Sequence, residues 1–167
     1  GVGFCINPVT GSPAEQSVDA NYGLGESVVS GEYPVDHWVL EKKTGQVQHA
    51  VIALKTEQVV SGENGTYVAP LAAELADQPS LTDSELALLA DLMRRVEAFY
   101  GYPQDIEWGI EGDQLWLLQA RPITRIPPRW TRDESAERFP SVITPLAWDL
   151  VEEGFHQSLS HSFGLMG

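Results

Sequence analysis

The sequence predicts an α+β fold, mainly antiparallel sheet with packed helices, and three observations carry the prediction. Residues 105–122 alternate apolar and polar on both sides of a turn; residues 37–54 form a second pair of strand patterns around a turn; one amphipathic helix lies between them. At 167 residues the chain has room for one domain with a real core, or for one domain and a piece of another.

Residues 1–6 read as an apolar strand, and Asn7-Pro8 to Gly11-Ser12-Pro13 as a turn. Residues 17–20 are a short strand candidate. They are followed by Gly23-Leu24-Gly25-Glu26, whose glycines could let backbone approach a ligand closely; a Gly-x-Gly pair is more often only a turn, and this one has neither Rossmann nor P-loop spacing. Residues 37–40 and 47–54 read as a hairpin through the basic turn Lys42-Lys43-Thr44-Gly45. His37 and His49 are single histidines without metal-ligand spacing, and Lys42 and Lys43 read as a solvated turn. Residues 57–70, with Ser61-Gly62-Glu63-Asn64-Gly65 at their centre, have loop composition flanked by weak strands.

Thr82-Asp83-Ser84-Glu85 is a capping box: the Thr82 hydroxyl caps the helix while Glu85 reaches back. Leu86, Leu89, Met93, Val96 and Tyr100 fall on one stripe, which is core, and Gly101 before Pro103 ends the helix. Arg94 and Arg95, adjacent on a helix with one apolar face, are expected to point to water.

The strands that follow carry the candidate chemistry. Ile106, Trp108 and Ile110 alternate before the turn and Trp116, Leu118 and Ala120 after it, so the even positions are expected to share a buried face around a three-residue loop within residues 111–115. Glu107 then opposes Gln119, and Asp105 opposes Arg121. Opposed Cβ atoms lie about 4.5–5.5 Å apart, close enough for a carboxylate and an amide oxygen to share one hard cation. Arg121 stands two positions along the same face, placed to fork onto a phosphate bound to that ion. Pattern alone leaves two readings open, a metal–phosphate site and a solvated strand face with an Asp–Arg pair.

Composition excludes other classes of function. With 10 basic and 24 acidic residues, a formal charge of −14 opposes binding to nucleic acid or to an anionic membrane. Cys5 is the sole cysteine, which rules out an internal disulfide, and no apolar run approaches the roughly 20 residues of a membrane helix, so a reducing, cytoplasmic setting is expected. The chain starts without Met, inside a strand pattern, which is the expected appearance of a fragment of a longer protein.

Tyr102-Pro103-Gln104-Asp105-Ile106-Glu107-Trp108, the spacing from Glu107 to Gln119, and Gln119-Ala120-Arg121-Pro122 resemble the end of the ATP-grasp nucleotide-binding domain in the phosphoenolpyruvate synthase and pyruvate phosphate dikinase family. Gly1-Val2-Gly3-Phe4-Cys5-Ile6-Asn7-Pro8-Val9-Thr10-Gly11 is similar to the family's strand and turn, and Asn21-Tyr22-Gly23-Leu24-Gly25-Glu26-Ser27-Val28-Val29-Ser30-Gly31 to its glycine-rich segment. The resemblance covers most of residues 1–124. It implies that Glu107 and Gln119 hold Mg2+, that Arg121 contacts phosphate with Asp105 holding it, and that Gly25 and Glu26 line the ATP cleft. Glu107 and Arg121 would be the catalytic pair. Asp19 stands where the family carries Glu, a departure that leaves its role open. An earlier half of the ATP-grasp domain, with basic residues that clamp the triphosphate, has no counterpart here, so that half is an expected partner.

Residues 125–129, Arg125-Ile126-Pro127-Pro128-Arg129, read as a stiff linker. Residues 130–167 then begin a following domain, a short helical tail in which Thr144-Pro145-Leu146-Ala147-Trp148 resembles the substrate domain of rifampin phosphotransferase-type members. His156 and His161 lack the setting of the family's phosphohistidine and read as helix surface. The implied parent is an ATP-dependent phosphotransferase that passes the β-phosphoryl group of ATP to a carrier histidine and on to pyruvate or an antibiotic, with phosphohistidine and substrate domains as partners. Two alternatives stand beside it: a ligase of prodigiosin-type biosynthesis, and a half-domain inactive alone.

Overall fold

The computed structural model describes residues 1–63 and 65–127. The expected tail, residues 130–167 with His156 and His161, lies outside the described residues, as do Pro128 and Arg129 of the expected linker.

Six antiparallel strands form the main sheet: β1 (Val2–Phe4), β2 (Glu15–Ala20), β3 (Asp36–Glu41), β4 (Val47–Val51), β7 (Gln104–Glu111) and β8 (Gln114–Pro122), in the order β4-β3-β2-β1-β7-β8. The opening apolar strand is therefore interior, with β2 on one side and β7, about a hundred residues later in the chain, on the other. Strand alternation sends Val18, Ala20, Trp38, Leu40, Ile106 and Trp108 to one face, all buried. Helix α2 (Asp83–Tyr100) covers that face with Leu86, Leu89, Ala90, Met93 and Val96, and buried Cys5 joins the same cluster. Sheet and helix thus bury complementary apolar surfaces, the main source of stability in a fold of this kind.

The helix is bounded as its sequence requires. Thr82 Oγ1 accepts from Glu85 N at 3.3 Å and the Glu85 carboxylate accepts from Thr82 N at 2.7 Å; the far end closes at Gly101. Tyr100, placed by spacing on the apolar stripe, is 56% exposed; Val96 is the last residue of the helix that is buried. Lys42, expected in a solvated turn, is paired with Glu97 of α2 at 2.6 Å and is only partly exposed, so it pins the β3–β4 turn to the helix.

The weak strands expected on either side of residues 61–65 are present, and longer than their composition suggests. They form a hairpin of β5 (Glu57–Gly62) and β6 (Gly65–Pro70), a separate two-stranded sheet. Its link to the rest of the fold is the glycine-rich loop: Leu24 N donates to Val59 O at 2.7 Å. Gly23 runs beside Val59 with φ +79°, and a Cβ on Gly23 would lie 2.3 Å from the Val59 carbonyl oxygen. Only glycine fits there. A single-turn helix, α1 (Glu26–Val29), follows the loop.

The β7–β8 hairpin departs from simple alternation. Gln104 to Glu107 pair with Pro122 to Gln119, but the register shifts by one residue after Glu107, so that Trp108 opposes Leu117 and Glu111 opposes Gln114. Leu118 is the extra residue of a β-bulge. The turn consequently has two residues, Gly112 and Asp113, not three; φ is +60° at Gly112 and positive at no other turn residue, the pattern of a type II′ turn. Beyond the bulge Trp116 and Leu118 leave the core face, with exposures of 52% and 67%, and Leu115 packs on the core instead.

Candidate functional site

The sheet face opposite α2 carries the even-numbered residues of β1 and the odd-numbered residues of β2, β3 and β7. The register brings Glu107 directly opposite Gln119 and Asp105 opposite Arg121, and the row through Glu107 continues over Val2 to Asp19 and His37. These side chains share a face because directly paired residues in antiparallel strands project the same way.

Arg121 Nε donates to Asp105 Oδ2 at 2.8 Å. Asp105 is nearly sealed while the Arg121 side chain is 62% exposed, so the carboxylate is the fixed member and the guanidinium the reaching one. The bond to Asp105 and the charges of Asp105 and Glu107 raise the guanidinium pKa, which keeps it cationic throughout. Glu107 is half-buried and Gln119 exposed. Neither side chain has a hydrogen-bond partner among the described residues, in contrast to Asp19, which is bound by His37 Nδ1 at 2.6 Å.

An oxygen pair of this sort suits a hard divalent cation. Mg2+ characteristically takes one or two protein oxygens and completes its shell with water and substrate phosphate. Among the described residues no group of three or more His, Cys, Asp or Glu side chains is placed to enclose a metal, so the donor set matches a cation shared with a bound anion better than an all-protein cage. Glu107 and Gln119 fit that requirement.

The other expected residues separate. Gly25 lies against the first strand, where a Cβ on it would sit 3.6 Å from Gly1 N, next to Val2 and hence to Glu107. Glu26, one residue on, accepts from Thr66 Oγ1 of β6 at 2.9 Å and lines a cleft of 220 Å3 between α1 and the β5–β6 hairpin. Gly25 lines a different cleft of 530 Å3, where the end of β2, the start of α2 and the β7–β8 hairpin meet. Tyr22, Leu24, Trp108, Trp116 and Leu118 give that cleft aromatic and aliphatic walls. Arg95 is exposed beside Asp91, as expected, whereas Arg94, also expected to point to water, is half-buried and donates to Lys42 O at 3.0 Å and to Asp91 at 3.2 Å.

Sequence reasoning missed two contributors. The apolar wall of Trp116 and Leu118 depends on the bulge, signalled only by the unbroken run Leu115-Trp116-Leu117-Leu118, which no strict alternation accommodates. Lys55 and Asp36 form a buried pair behind the cleft, and nothing in their spacing marks them.

Residues 1–139 match the family model for the pyruvate phosphate dikinase AMP/ATP-binding domain. The chain belongs to that family. As a member of it, the chain is 36% identical over 146 residues to a phosphoenolpyruvate synthase of Pyrococcus furiosus, covering 82% of this chain and 18% of that protein. It is 40% identical over 139 residues to a rifampicin phosphotransferase of a Streptomyces species, covering 83% of this chain and 16% of the relative. The prodigiosin synthesizing transferase PigC of Serratia marcescens is 39% identical over 125 residues, 74% of this chain and 14% of that one. This AMP/ATP-binding family member thus spans less than a fifth of each of these relatives. No described helix is long and apolar enough to cross a membrane.

Proposed function

We propose that this chain is the Mg-ATP-binding portion of a longer, cytoplasmic, dikinase-like phosphotransferase, with residues 1–124 as the C-terminal part of its ATP-grasp domain, residues 125–129 as linker and residues 130–167 as the start of a substrate domain. The parent moves the β-phosphoryl group of ATP to a carrier histidine and on to an acceptor, pyruvate or an antibiotic, and releases AMP and phosphate. The observation that carries this reading is the cross-strand pairing of Glu107 with Gln119 beside the Asp105–Arg121 pair.

Glu107 and Gln119 hold Mg2+, which when bound neutralises phosphate oxygens and fixes their conformation. The need for a cation follows from charge: a protein at −14 repels a polyphosphate unless positive charge stands between them. Arg121 neutralises charge developing on the transferred group, and Asp105 keeps it in place. Gly25 offers backbone without a side chain to the phosphates, and Glu26, bound by Thr66, lines the adjoining 220 Å3 cleft between α1 and the β5–β6 hairpin, which serves as an extension of the nucleotide cleft. These residues contribute position and electrostatics; the nucleophile, the acceptor site and the basic clamp belong to other parts of the parent.

The test is Glu107→Ala and Gln119→Ala in the longer protein. ATP-dependent turnover is expected to fall by about 10²-fold or more with the circular dichroism spectrum unchanged. Wild-type turnover in either variant refutes the assignment.

The likeness to a prodigiosin synthesizing transferase favours a second reading, a ligase of natural-product assembly built on the same nucleotide domain. Trapping a phosphorylated histidine in the longer protein supports the first reading, and its absence during full turnover supports the second. Calorimetry with Mg-ATP on the 167-residue chain is expected to be silent until the rest of the proposed ATP-grasp domain is added, because on this reading the other half of the nucleotide pocket belongs to that part of the parent.

A further inference from the structure

Asp36 and Lys55 form an ion pair in which neither side chain has any solvent exposure, with Nζ 2.6 Å from Oδ1. Burying two charges forfeits their hydration, and apolar residues of similar volume often hold a core as well or better. A pair kept under those conditions calls for a positional reason, and its hydrogen bonds supply one. Asp36 Oδ1 also accepts from Ala53 N at 2.9 Å, its Oδ2 accepts from Ser80 N at 2.7 Å, and Lys55 Nζ donates to Ala53 O at 2.9 Å. One carboxylate at the start of β3 therefore fixes both the β4–β5 connection and the approach to α2.

Tyr22 is gripped by the same unit. Lys55 Nζ lies 5.9 Å from the centre of its ring, within cation–π range, and its hydroxyl donates to Pro79 O at 3.0 Å, next to Ser80. Tyr22 opens the glycine-rich loop, and with Gly25 and Ser80 it lines the 530 Å3 cleft.

We infer that Asp36 and Lys55 are a positioning pair for the glycine-rich loop: through Tyr22 they set the backbone of Gly23, Leu24 and Gly25 against the Glu107 end of the sheet, so that the nucleotide meets a preformed loop. Sealed as they are, neither touches the ligand. The inference rests on the nucleotide reading above, and its test separates the two.

The double variant Asp36→Leu, Lys55→Met removes both charges at once and avoids stranding one of them. In the 167-residue chain it is expected to melt cooperatively within about 5 °C of the parent. Amide exchange at Leu24, whose N–H is held by Val59 O at 2.7 Å, and at Val29, held by Gly25 O at 3.1 Å, is expected to accelerate about tenfold, while Leu89 and Met93 in α2 stay unchanged. In the longer protein the KM for Mg-ATP rises about tenfold with kcat changed less than about threefold, and Lys55→Arg recovers part of the loss. Tyr22→Leu, which leaves the buried pair intact, is expected to loosen the same two amides and provides the reading if the double variant does not fold. Unchanged loop exchange in either folded variant overturns the inference, as does equal acceleration at Leu89 and Met93. A loosened loop with unchanged KM, in a protein where Glu107→Ala still abolishes turnover, overturns it too. Turnover indifferent to Glu107→Ala sinks the nucleotide reading instead, and the inference with it.

Discussion

Arg121 hangs from Asp105 by one hydrogen bond, Nε to Oδ2 at 2.8 Å, and its two terminal amino groups have no partner among the described residues. The carboxylate takes the inner edge of the guanidinium and leaves the outer fork, the part that grips a phosphate in two places, unengaged. A neighbour that served stability alone would gain from engaging both edges.

Asp105→Asn therefore separates function from folding. With Arg121 largely in water, losing the pair is expected to cost about 0.2–1 kcal/mol of stability, as other half-exposed pairs do. The KM for Mg-ATP in the longer protein is expected to rise about tenfold because the guanidinium loses its anchor. Urea unfolding and steady-state kinetics on the same variant check both; a stability loss without a KM effect contradicts the assigned role. Arg121→Lys is expected to fare no better, since an ammonium cannot contact the carboxylate with one edge and a phosphate with another.

Gly23 and Gly31 make a matched pair for the loop. Both have positive φ, +79° and +70°, but a Cβ on Gly23 would meet Val59 O at 2.3 Å whereas nothing lies within 4 Å of one on Gly31. Gly31→Ala is expected to cost about 1–2 kcal/mol, the backbone penalty alone. Gly23→Ala carries that penalty and also displaces the β5–β6 hairpin. Thermal melts rank the two, and equal losses would show that the Val59 contact is soft.

Cys5 reports the integrity of the core. Burial pushes its thiol from 9.0 up to about 11, and Sγ donates to Met93 O at 3.3 Å. Native protein at pH 8 is expected to be inert to a disulfide reagent that labels the urea-unfolded chain promptly. The folded state holds this proton more tightly than the unfolded one. Stability from the neutral thiol is therefore complete below pH 9.0 and is lost as pH rises toward about 11. Cys5→Ser should flatten that part of the pH–stability curve.

Thr82→Ala removes the helix cap and is expected to cost about 0.5–2 kcal/mol by denaturant titration. Met93→Ala, at a fully buried position, is expected to cost about 2–5 kcal/mol. The larger loss should fall on Met93, because it lies between α2 and β1 whereas the cap touches only the helix end.

Local signals made much of this fold legible. The Thr82–Glu85 box, the stripe from Leu86 to Val96 and the opposition of Glu107 to Gln119 depend on spacings of a few residues or on a single hairpin, and the structure has them as the sequence implied. Long-range consequences were not legible. Nothing in Val2 to Phe4 indicates that its neighbour is the strand at Asp105 to Glu107, and nothing in Lys55 indicates a carboxylate nineteen residues upstream. The hairpin's far half departs from strict alternation because Leu118 interrupts the pairing, and the four consecutive apolar residues Leu115 to Leu118 are the local sign of it, since they conflict with a period of two.

That stray leucine has a further effect on how the hairpin tolerates change. The slip lies between the turn at Gly112 and the rungs at Glu107 and Gln119, so the register of the tip is set separately from that of the base. Residues gained or lost around Asp113 can be absorbed by shifting the slack along the ladder, and the acid and the amide keep facing each other. Hairpins of different tip length can therefore keep the same opposition of acid and amide, while deleting Leu118 alone would remove the extra residue and leave an unbroken ladder from Gln104 to Glu111.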